Sequence, residues 1–274
     1  MIKILQKAIM ILFAVTFVAF VAFSIADRIT TDRTEPTITV PQEPLKISIH
    51  DPEEKMLAGI TATDGKDGDI TDKVIVESVS KFIRPGVCMV TYAVMDNDNH
   101  VAKATRTLEY TDYTSPEFYM RRVLVYSVEE EMDIHEAVGA RDCIDGDISD
   151  KVTVLATDYV ENTPGVFNVS LQVSNSMGDT IFLDITVHVE GNETMAPQIA
   201  LKKSLIYLKK GDQRPDFESF IKEVTIDGVV MKDYGMLIST NFDSNVPGTY
   251  NVHYYITTTT GYEGHSILTV VVEE

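Results

Sequence analysis

The sequence predicts an all-β chain in which three tandem antiparallel β-sandwiches follow one N-terminal transmembrane helix. Three observations support this fold class. The N-terminal region contains a long uncharged apolar run, two sequence markers recur about every 80 residues, and strands of alternating residues accompany each marker. The length of 274 residues is enough for two or three domains of ordinary size.

The composition excludes several classes of function. With 23 basic and 42 acidic residues, the formal net charge is −19, which disfavours a nucleic-acid partner. Two cysteines are too few for a disulfide-dense scaffold or a four-thiolate zinc site. Nucleophile-elbow, zinc-protease and phosphate-loop motifs are all absent from the sequence. We therefore expect no enzymatic activity and no obligatory cofactor.

Residues 8–26 form the predicted transmembrane helix. These 19 residues carry no charge, and a rise of about 1.5 Å per residue lets them just cover a hydrocarbon core of about 30 Å. Lys3 and Lys7 precede the run. The positive-inside rule therefore places residues 1–7 in the cytoplasm as a short tail and the C-terminus outside the cell. Residues 27–34 form a linker, and the chain is expected to be a single-pass protein of the cell membrane.

The same segment has an alternative interpretation as a signal peptide. Ser24 and Ala26 are small residues at the two positions that signal peptidase reads, so cleavage before Asp27 would give a secreted protein. The apolar run is longer than the roughly 7–15 residues of an ordinary signal-peptide core, which favours an uncleaved anchor. Both interpretations export the remainder of the chain.

Two independent markers indicate three copies of one domain. The first is a proline followed two residues later by an apolar residue, with spacings of 80 and 81 residues. The second is a Pro-Gly pair, with spacings of 79 and 83 residues. The markers are Pro36, Pro116 and Pro197 for the first, and Pro85-Gly86, Pro164-Gly165 and Pro247-Gly248 for the second. The predicted domains are residues 35–112, 113–191 and 192–274.

Each copy has the pattern of a β domain. After each Pro-Gly pair, apolar and polar residues alternate, which is typical of a strand with one buried and one wetter face. In the third copy the buried face is predicted to contain Tyr250, Val252, Tyr254 and Ile256, and the wetter face Asn251, His253 and Tyr255. A turn-rich segment and a second apolar run follow, which predicts a hairpin and, over the whole copy, a sandwich. Residues 217–223 are an exception that predicts a single helical turn.

Copies one and two share a gapless acidic block, residues 60–74 and 138–152. Its pattern is Ala-x-Asp-x-x-Asp-Gly-Asp-Ile-(Thr/Ser)-x-x-Val. With the Pro-Gly pair and the strand after it, the block resembles the bacterial Ig-like domain first named from a pesticidal crystal protein. The resemblance covers nearly all of residues 35–191 and implies Ig-like sandwiches in a bacterial surface or secreted protein, without one ligand or reaction. The third copy lacks most of the block and is interpreted as a divergent Ig-like domain.

The clustered carboxylates of this block are candidate ligands for Ca²⁺, which prefers six to eight oxygen ligands. The candidates are Asp64, Asp67, Asp69, Asp72, Asp142, Asp145, Asp147 and Asp150. The spacing is not that of an EF-hand, because position 12 counted from Asp64 is Ile75. The favoured alternative is structural: Gly68 and Gly146 adopt left-handed turns while the flanking carboxylates accept hydrogen bonds from nearby backbone N–H groups.

We expect neither the histidines nor the cysteines to bind a metal. The six histidines have no metal-ligand spacing and are expected to be solvated; they are His50, His100, His135, His188, His253 and His265. Cys88 has the inward parity of its strand and is expected in a core, whereas Cys143 lies in an acidic turn predicted to be exposed. We expect two free thiols.

The favoured function is a non-catalytic, membrane-anchored extracytoplasmic protein that acts as a surface stalk or a protein-binding and adhesion module. One alternative is a glycan-binding accessory of the cell surface, which would depend on Ca²⁺ if the acidic turns bind it. Its candidate ligand-binding rings, chosen by exposed parity or loop position, are Tyr119, Tyr126, Tyr159, Tyr255 and Tyr262. Another alternative is an envelope subunit that meets a partner through residues 8–26.

Overall fold

A computed structural model describes residues 2–30, 34–191 and 196–274 of the chain. The contacts divide the chain into two compact units, Met1–Ile83 with Val87–Thr111, and Arg84–Gly86 with Asp112–Glu274. The predicted domain boundaries stay predictions. Parts of the predicted linker 27–34 and of the start of the third domain at 192 lie outside the described residues.

Helix α1 spans Ile2–Thr30. Its segment Gln6–Ala26 has a mean hydropathy of 2.7, and none of it is buried by the protein. At a rise of about 1.5 Å per residue this segment is about 32 Å long, so by length and composition it can cross a membrane. The helix exceeds the predicted 8–26 at both ends because neither glycine nor proline interrupts residues 2–30.

The first unit contains one sandwich of seven strands within the described residues. Three of them form the smaller sheet in the order β1-β3-β4, and four form the larger sheet in the order β2-β7-β6-β5. The strands are β1 Thr37–Thr39, β2 Leu45–Ile47, β3 Thr61–Asp64, β4 Gly68–Asp69, β5 Ile75–Val79, β6 Val87–Met95 and β7 Val101–Tyr110. Short 3₁₀ helices occupy Glu53–Leu57 and Thr71–Lys73.

The second unit contains two sandwiches within the described residues. In the second domain the strands are β8 Glu117–Met120, β9 Val125–Ser127, β10 Val138–Asp142, β11 Gly146–Asp147, β12 Thr153–Thr157, β13 Gly165–Ser174 and β14 Thr180–Glu190, with helix α2 at Ile134–Ala137 and a 3₁₀ helix at Ser149–Lys151. In the third they are β15 Gln198–Leu201, β16 Leu205–Lys209, β17 Ile221–Ile226, β18 Val229–Val230, β19 Gly235–Thr240, β20 Gly248–Thr257 and β21 Glu263–Glu273. The predicted helical turn is a 3₁₀ helix, Phe217–Phe220, and strand β17 begins directly after it.

The sheet orders confirm that the described chain contains three copies of one fold. The smaller sheets of the second and third domains are ordered β8-β10-β11 and β15-β17-β18, and the larger sheets β9-β14-β13-β12 and β16-β21-β20-β19. Both orders match the first domain. One detail differs from a purely antiparallel sandwich, because β2–β7, β9–β14 and β16–β21 pair in parallel. In each domain the short strand that enters the larger sheet runs in the same direction as the last strand.

The predicted hairpin strands form the centre of each larger sheet, and their inward residues form the cores. Cys88, Val90 and Tyr92 are fully buried in the first domain. Phe167, Val169 and Leu171 are buried at the same positions of the second domain. In the third domain Val252 and Tyr254 are buried and Tyr250 is half-buried. Apolar burial of this kind is the main stabilising contribution to such small domains. The prediction that Cys88 is a core residue is confirmed.

The second and third domains share part of their interior. Leu205, Tyr207 and Val271 of the third domain pack against the core cluster of the second domain. The backbone N–H of Phe118 donates a hydrogen bond of 3.1 Å to the Tyr207 hydroxyl oxygen. Asn251 of β20 donates a hydrogen bond to Thr186 of β14, so the face of β20 that the sequence predicts to be wetter meets the second domain.

Candidate functional site

The acidic turns have the geometry of the structural alternative. The Asp64 carboxylate accepts hydrogen bonds of 2.8 Å from the backbone N–H groups of Lys66 and Asp67. Gly68 and Gly146 have φ angles of +74° and +76°, the left-handed conformation that favours glycine. In the second domain Asp142 accepts hydrogen bonds from the backbone N–H groups of Ile144 and Asp145 in the same way. The first aspartate of each block thus closes the turn onto its own backbone.

The second aspartate of each block connects the turn to the opposite sheet. Asp67 accepts hydrogen bonds from the backbone N–H and the side-chain amide of Asn97, at 2.7 and 2.9 Å. Asp145 accepts from the backbone N–H and the hydroxyl of Ser176, both at 2.6 Å. Asn97 and Ser176 begin the turns of the central hairpins. The same position of this aspartate in both copies is therefore explained by its role as a clamp, which holds the acidic turn to the hairpin of the opposite sheet.

The two copies differ at one buried oxygen. Asp142 Oδ2 accepts a hydrogen bond of 3.0 Å from the Asn175 amide. In the first domain Asp96 takes the position of Asn175, and its carboxylate accepts from His100 at the backbone and at ring Nδ1. A carboxylate cannot donate as an amide does, and within the described residues Asp64 Oδ2 is buried without a hydrogen-bond partner.

The calcium prediction stays a prediction for these eight aspartates. Asp69 and Asp147 each accept a hydrogen bond of 3.0 Å from the backbone N–H two residues later. These two aspartates are exposed, as are Asp72 and Asp150. Among the described residues, the single group of three metal-ligating side chains that converges consists of histidines.

The predicted ligand-binding tyrosines lie in different environments. Tyr255 and Tyr262 are 37% and 40% exposed. Tyr119 is half-buried and stacks against the guanidinium groups of Arg121 and Arg141 at 5.1 and 4.6 Å. Tyr159 is half-buried and packs edge-on against Phe167.

The expectation that Tyr126 is exposed is wrong. Tyr126 is 3% exposed because it occupies the inward position of the three-residue strand β9 and joins the core of the second domain. A strand of three residues is too short to give a detectable alternation in the sequence.

Cys143 is more protected than its loop position predicts. It is half-buried, and its thiol donates a hydrogen bond of 3.1 Å to the Thr114 carbonyl oxygen. The segment that enters the second domain covers this side of the acidic turn. Both cysteines are free thiols, and burial raises the pKa of Cys88 to about 11.

Three histidines that the sequence predicts to be solvated converge where the second and third domains meet. His188 lies on β14, and His253 and His265 lie on the adjacent strands β20 and β21. Tyr255 is directly opposite His265, so His253 and His265 are diagonal neighbours on one face of the hairpin. Because the residues come from three strands of two domains, no local spacing in the sequence identifies them.

The histidine cluster is compact. His253 Nδ1 lies 3.0 Å from His265 Nε2, and one ring nitrogen from each of the three histidines lies within 4.8 Å of the others. The other nitrogen of His265, Nδ1, is hydrogen-bonded to the Glu190 carboxylate. The side chain of His265 is 7% exposed.

The environment keeps two of these rings neutral near pH 7. Burial, with a smaller contribution from the neighbouring His265 and His253, lowers the pKa of His188 to about 4. Burial, with a smaller contribution from the neighbouring His265, also lowers the pKa of His253. The hydrogen bond from His265 lowers the pKa of Glu190, so this residue is a carboxylate. A neutral ring with a free lone pair can bind a cation.

A cleft of about 790 Å³ adjoins this cluster in the second unit. Its lining includes Arg122, Glu130, Tyr255, Glu263 and His265. The Tyr255 ring stacks on the His265 ring with a centroid separation of 4.6 Å. The cleft thus combines an exposed aromatic ring with charged groups of both signs.

Comparisons with known proteins agree with the resemblance seen in the sequence. The chain is 28% identical to pesticidal crystal protein Cry22Aa of Bacillus thuringiensis over 140 residues, which are 50% of this chain and 19% of that protein. It is 23% identical to an 81.3 kDa protein of Acholeplasma phage L2 over 176 residues, 62% of this chain and 22% of that protein. The chain thus spans about a fifth of the length of these curated relatives.

No family model matches the chain. Among solved structures, it is similar to CBM51-2 in complex with GlcNAc and the INT domains of Clostridium perfringens ZmpB, with 19% identity and a TM-score of 0.30. That match covers 58% of this chain and 42% of the other. The three repeated sheet pairs show that the chain is a β-sandwich protein. Half of its length is similar to a pesticidal crystal protein.

Proposed function

We propose that the protein is a non-catalytic, membrane-anchored extracytoplasmic protein whose Ig-like domains act as a surface stalk or a protein-binding module. The observation that carries this proposal is the exposed apolar surface of α1. Its phenylalanines Phe13, Phe17, Phe20 and Phe23 are 56–71% exposed. An apolar surface of this extent is unfavourable in water and favourable in a lipid bilayer.

The shared interior of the second and third domains supports a stalk. Independent domains on a flexible linker would bend freely, whereas Leu205 and Tyr207 insert into the core cluster of the neighbouring domain. Asn251 of β20 also donates a hydrogen bond to Thr186 of β14. Contacts of this kind restrict bending and suit a surface protein that holds a binding face away from a bilayer.

The experiment is a topology assay on cells that produce the full chain with a C-terminal epitope tag. We expect the tag in the membrane fraction, from which detergent but not high salt releases it. Protease added to intact cells should digest the tag. A tag that is digested only after lysis would contradict the orientation. A tag in the medium, on a product that starts at Asp27, would replace the anchor with secretion.

A variant at the possible cleavage site separates anchor from signal peptide. The double substitution Ser24→Leu with Ala26→Leu removes both small residues read by signal peptidase. We expect no change in fractionation or apparent mass if α1 is an uncleaved anchor. A shift of the protein from medium to membrane in this variant would identify a signal peptide.

The glycan-binding alternative is favoured by one observation, the exposed Tyr255 ring at the edge of the cleft. A glycan array with and without EDTA tests it, with Tyr255→Ala as the matched variant. Sugar binding that is reproducible and lost in Tyr255→Ala would rank this function first. Loss on chelation that added Ca²⁺ restores would add the Ca²⁺ dependence proposed for the acidic turns, whereas a blank array would leave the protein-binding stalk.

A further inference from the structure

The geometry points to a transition-metal site formed by His188, His253 and His265, in which one divalent ion of the zinc class joins the second domain to the third. This inference is independent of membrane topology. Its first support is the convergence of the three rings at a protein interface, with ligand atoms within 4.8 Å of one another. Neutral imidazole is the commonest metal ligand in proteins, and three histidines are a zinc ligand set that leaves one position open.

The spacing of two of the ligands already suits a tetrahedral ion. Zinc–nitrogen bonds of about 2.0–2.1 Å at tetrahedral angles separate two ligand nitrogens by about 3.3 Å. His253 Nδ1 and His265 Nε2 are 3.0 Å apart. The ligand nitrogen of His188 lies within 4.8 Å of the others, so it needs to approach by at most about 1.5 Å, which rotation of a half-buried ring can supply. The three imidazoles leave a fourth position for a water molecule.

Glu190 supplies the orientation that metal-binding histidines require. Its carboxylate accepts a hydrogen bond from His265 Nδ1–H, which leaves a lone pair on His265 Nε2. That nitrogen is the one facing His253. A carboxylate behind a ligating histidine fixes the tautomer and increases the basicity of the ligand. Without an ion, His253 Nδ1–H donates to His265 Nε2; with the ion bound, His253 adopts its other neutral tautomer.

The donor set selects the class of ion. Neutral imidazoles suit Zn²⁺, Ni²⁺ and Cu²⁺, whereas Ca²⁺ prefers carboxylate and carbonyl oxygens. The site is therefore chemically distinct from the acidic turns. One ligand comes from β14 and two from the β20–β21 hairpin, so an ion there crosslinks the two domains and stabilises their contact.

The test is calorimetric titration of ZnCl₂ into the full chain in detergent, after chelator treatment and dialysis. We expect one Zn²⁺ per chain. His188→Ala and His265→Ala should each weaken binding at least tenfold, and Glu190→Gln should weaken it about 10–100-fold through orientation alone. His135→Ala, at an exposed histidine of α2, is the matched control and should bind as the parent chain does.

Two further measurements keep the inference falsifiable if a variant is less stable. Co²⁺ should give the intense visible absorption of a tetrahedral site in the parent chain and in His135→Ala, and lose it in His188→Ala. Excess Ca²⁺ should leave Zn²⁺ binding unchanged. An unchanged Zn²⁺ stoichiometry and affinity in His188→Ala and His265→Ala, both folded by circular dichroism, would overturn the site and assign the binding to surface carboxylates.

Discussion

In two of the three domains, a single buried tyrosine connects a central strand of the larger sheet to a 3₁₀ helix. The Tyr92 hydroxyl donates a hydrogen bond of 2.7 Å to the Met56 carbonyl, and the Tyr254 hydroxyl one of 2.8 Å to the Phe217 carbonyl. Both carbonyls belong to 3₁₀ helices. The second domain has Leu171 at this position and forms no such bond. The sequence predicts the inward parity of these rings but gives no indication of the partner of a hydroxyl, which depends on the fold.

Removing one of these hydroxyls tests that role. Tyr254→Phe keeps the ring but leaves the buried Phe217 carbonyl without its donor, so we expect the free energy of unfolding to fall by about 1–2 kcal/mol. Tyr255→Phe, at the exposed neighbour, should change it by less than about 0.5 kcal/mol. Urea denaturation followed by circular dichroism measures both. Equal stabilities of the two variants would show that the hydrogen bond contributes nothing.

At the scale of elements, the acidic turn of the second domain is a clamp that depends on charge. Although burial alone would raise the pKa of Asp145, hydrogen bonds from Ser176 and Lys151 hold it below its usual value. A carboxyl whose pKa is lower in the folded than in the unfolded state stabilises the fold above pH about 3.8. That contribution is lost as the pH falls through the lower, folded-state pKa.

The clamp therefore predicts a pH-dependent effect of one substitution. Asp145→Asn should destabilise the second domain at pH 7 and lose that effect progressively as the pH falls below about 3.8. Once the pH is below the folded-state pKa of Asp145, both chains are uncharged at this position. Asp150→Asn, which changes an exposed acid of the same turn, should have little effect at either pH. Thermal melts of both variants and the parent between pH 2.5 and 7 measure the difference. An effect of Asp145→Asn that is constant over this range would contradict the clamp.

A close approach of two strand ends in the third domain limits one position to glycine. A Cβ atom on Gly264 of β21 would lie 2.0 Å from the Pro197 carbonyl oxygen, which is backbone and has little freedom to move. Gly264→Ala should therefore destabilise the third domain by about 1–3 kcal/mol. Gly191→Ala, where a Cβ meets no atom of the described residues within 4 Å, is the control. Denaturant unfolding compares them, and equal effects would mean that the strand ends can separate without cost.

The sequence predicts the secondary-structure elements better than it predicts which strand faces are exposed to solvent. The hairpins, the left-handed glycines and the 3₁₀ helix at Phe217 follow from local patterns that the structure confirms. The wetter face of β20 is correctly assigned as polar, but in the structure it packs against another domain. Period-2 alternation reports only that a face is polar, and solvent and a polar interface give the same pattern. For this reason His188, His253 and His265 could not be found as a cluster, since their proximity exists only after two domains dock.

At the scale of the whole molecule, the second unit is held together by groups that the repeats alone would leave exposed. Tyr207 contributes its ring to the core cluster of the second domain and its hydroxyl oxygen to the Phe118 N–H. Burial raises the pKa of this tyrosine well above its usual value, so the hydroxyl stays neutral throughout the physiological range. Because the interface includes core side chains, separating the two domains exposes apolar surface. The two domains should therefore unfold together.

Substituting Tyr207 tests this coupling. In differential scanning calorimetry of the parent chain, the second and third domains should contribute one transition. Tyr207→Ala removes both the ring and the hydrogen bond, so the transition should split into two, with the lower one shifted down by several degrees. Tyr207→Phe keeps the packing and should leave one transition at a slightly lower temperature, and Tyr262→Ala, at an exposed ring, should leave the profile unchanged. If the parent already shows separate transitions, the domains are coupled too weakly to restrict bending, and the stalk would have to depend on another contact.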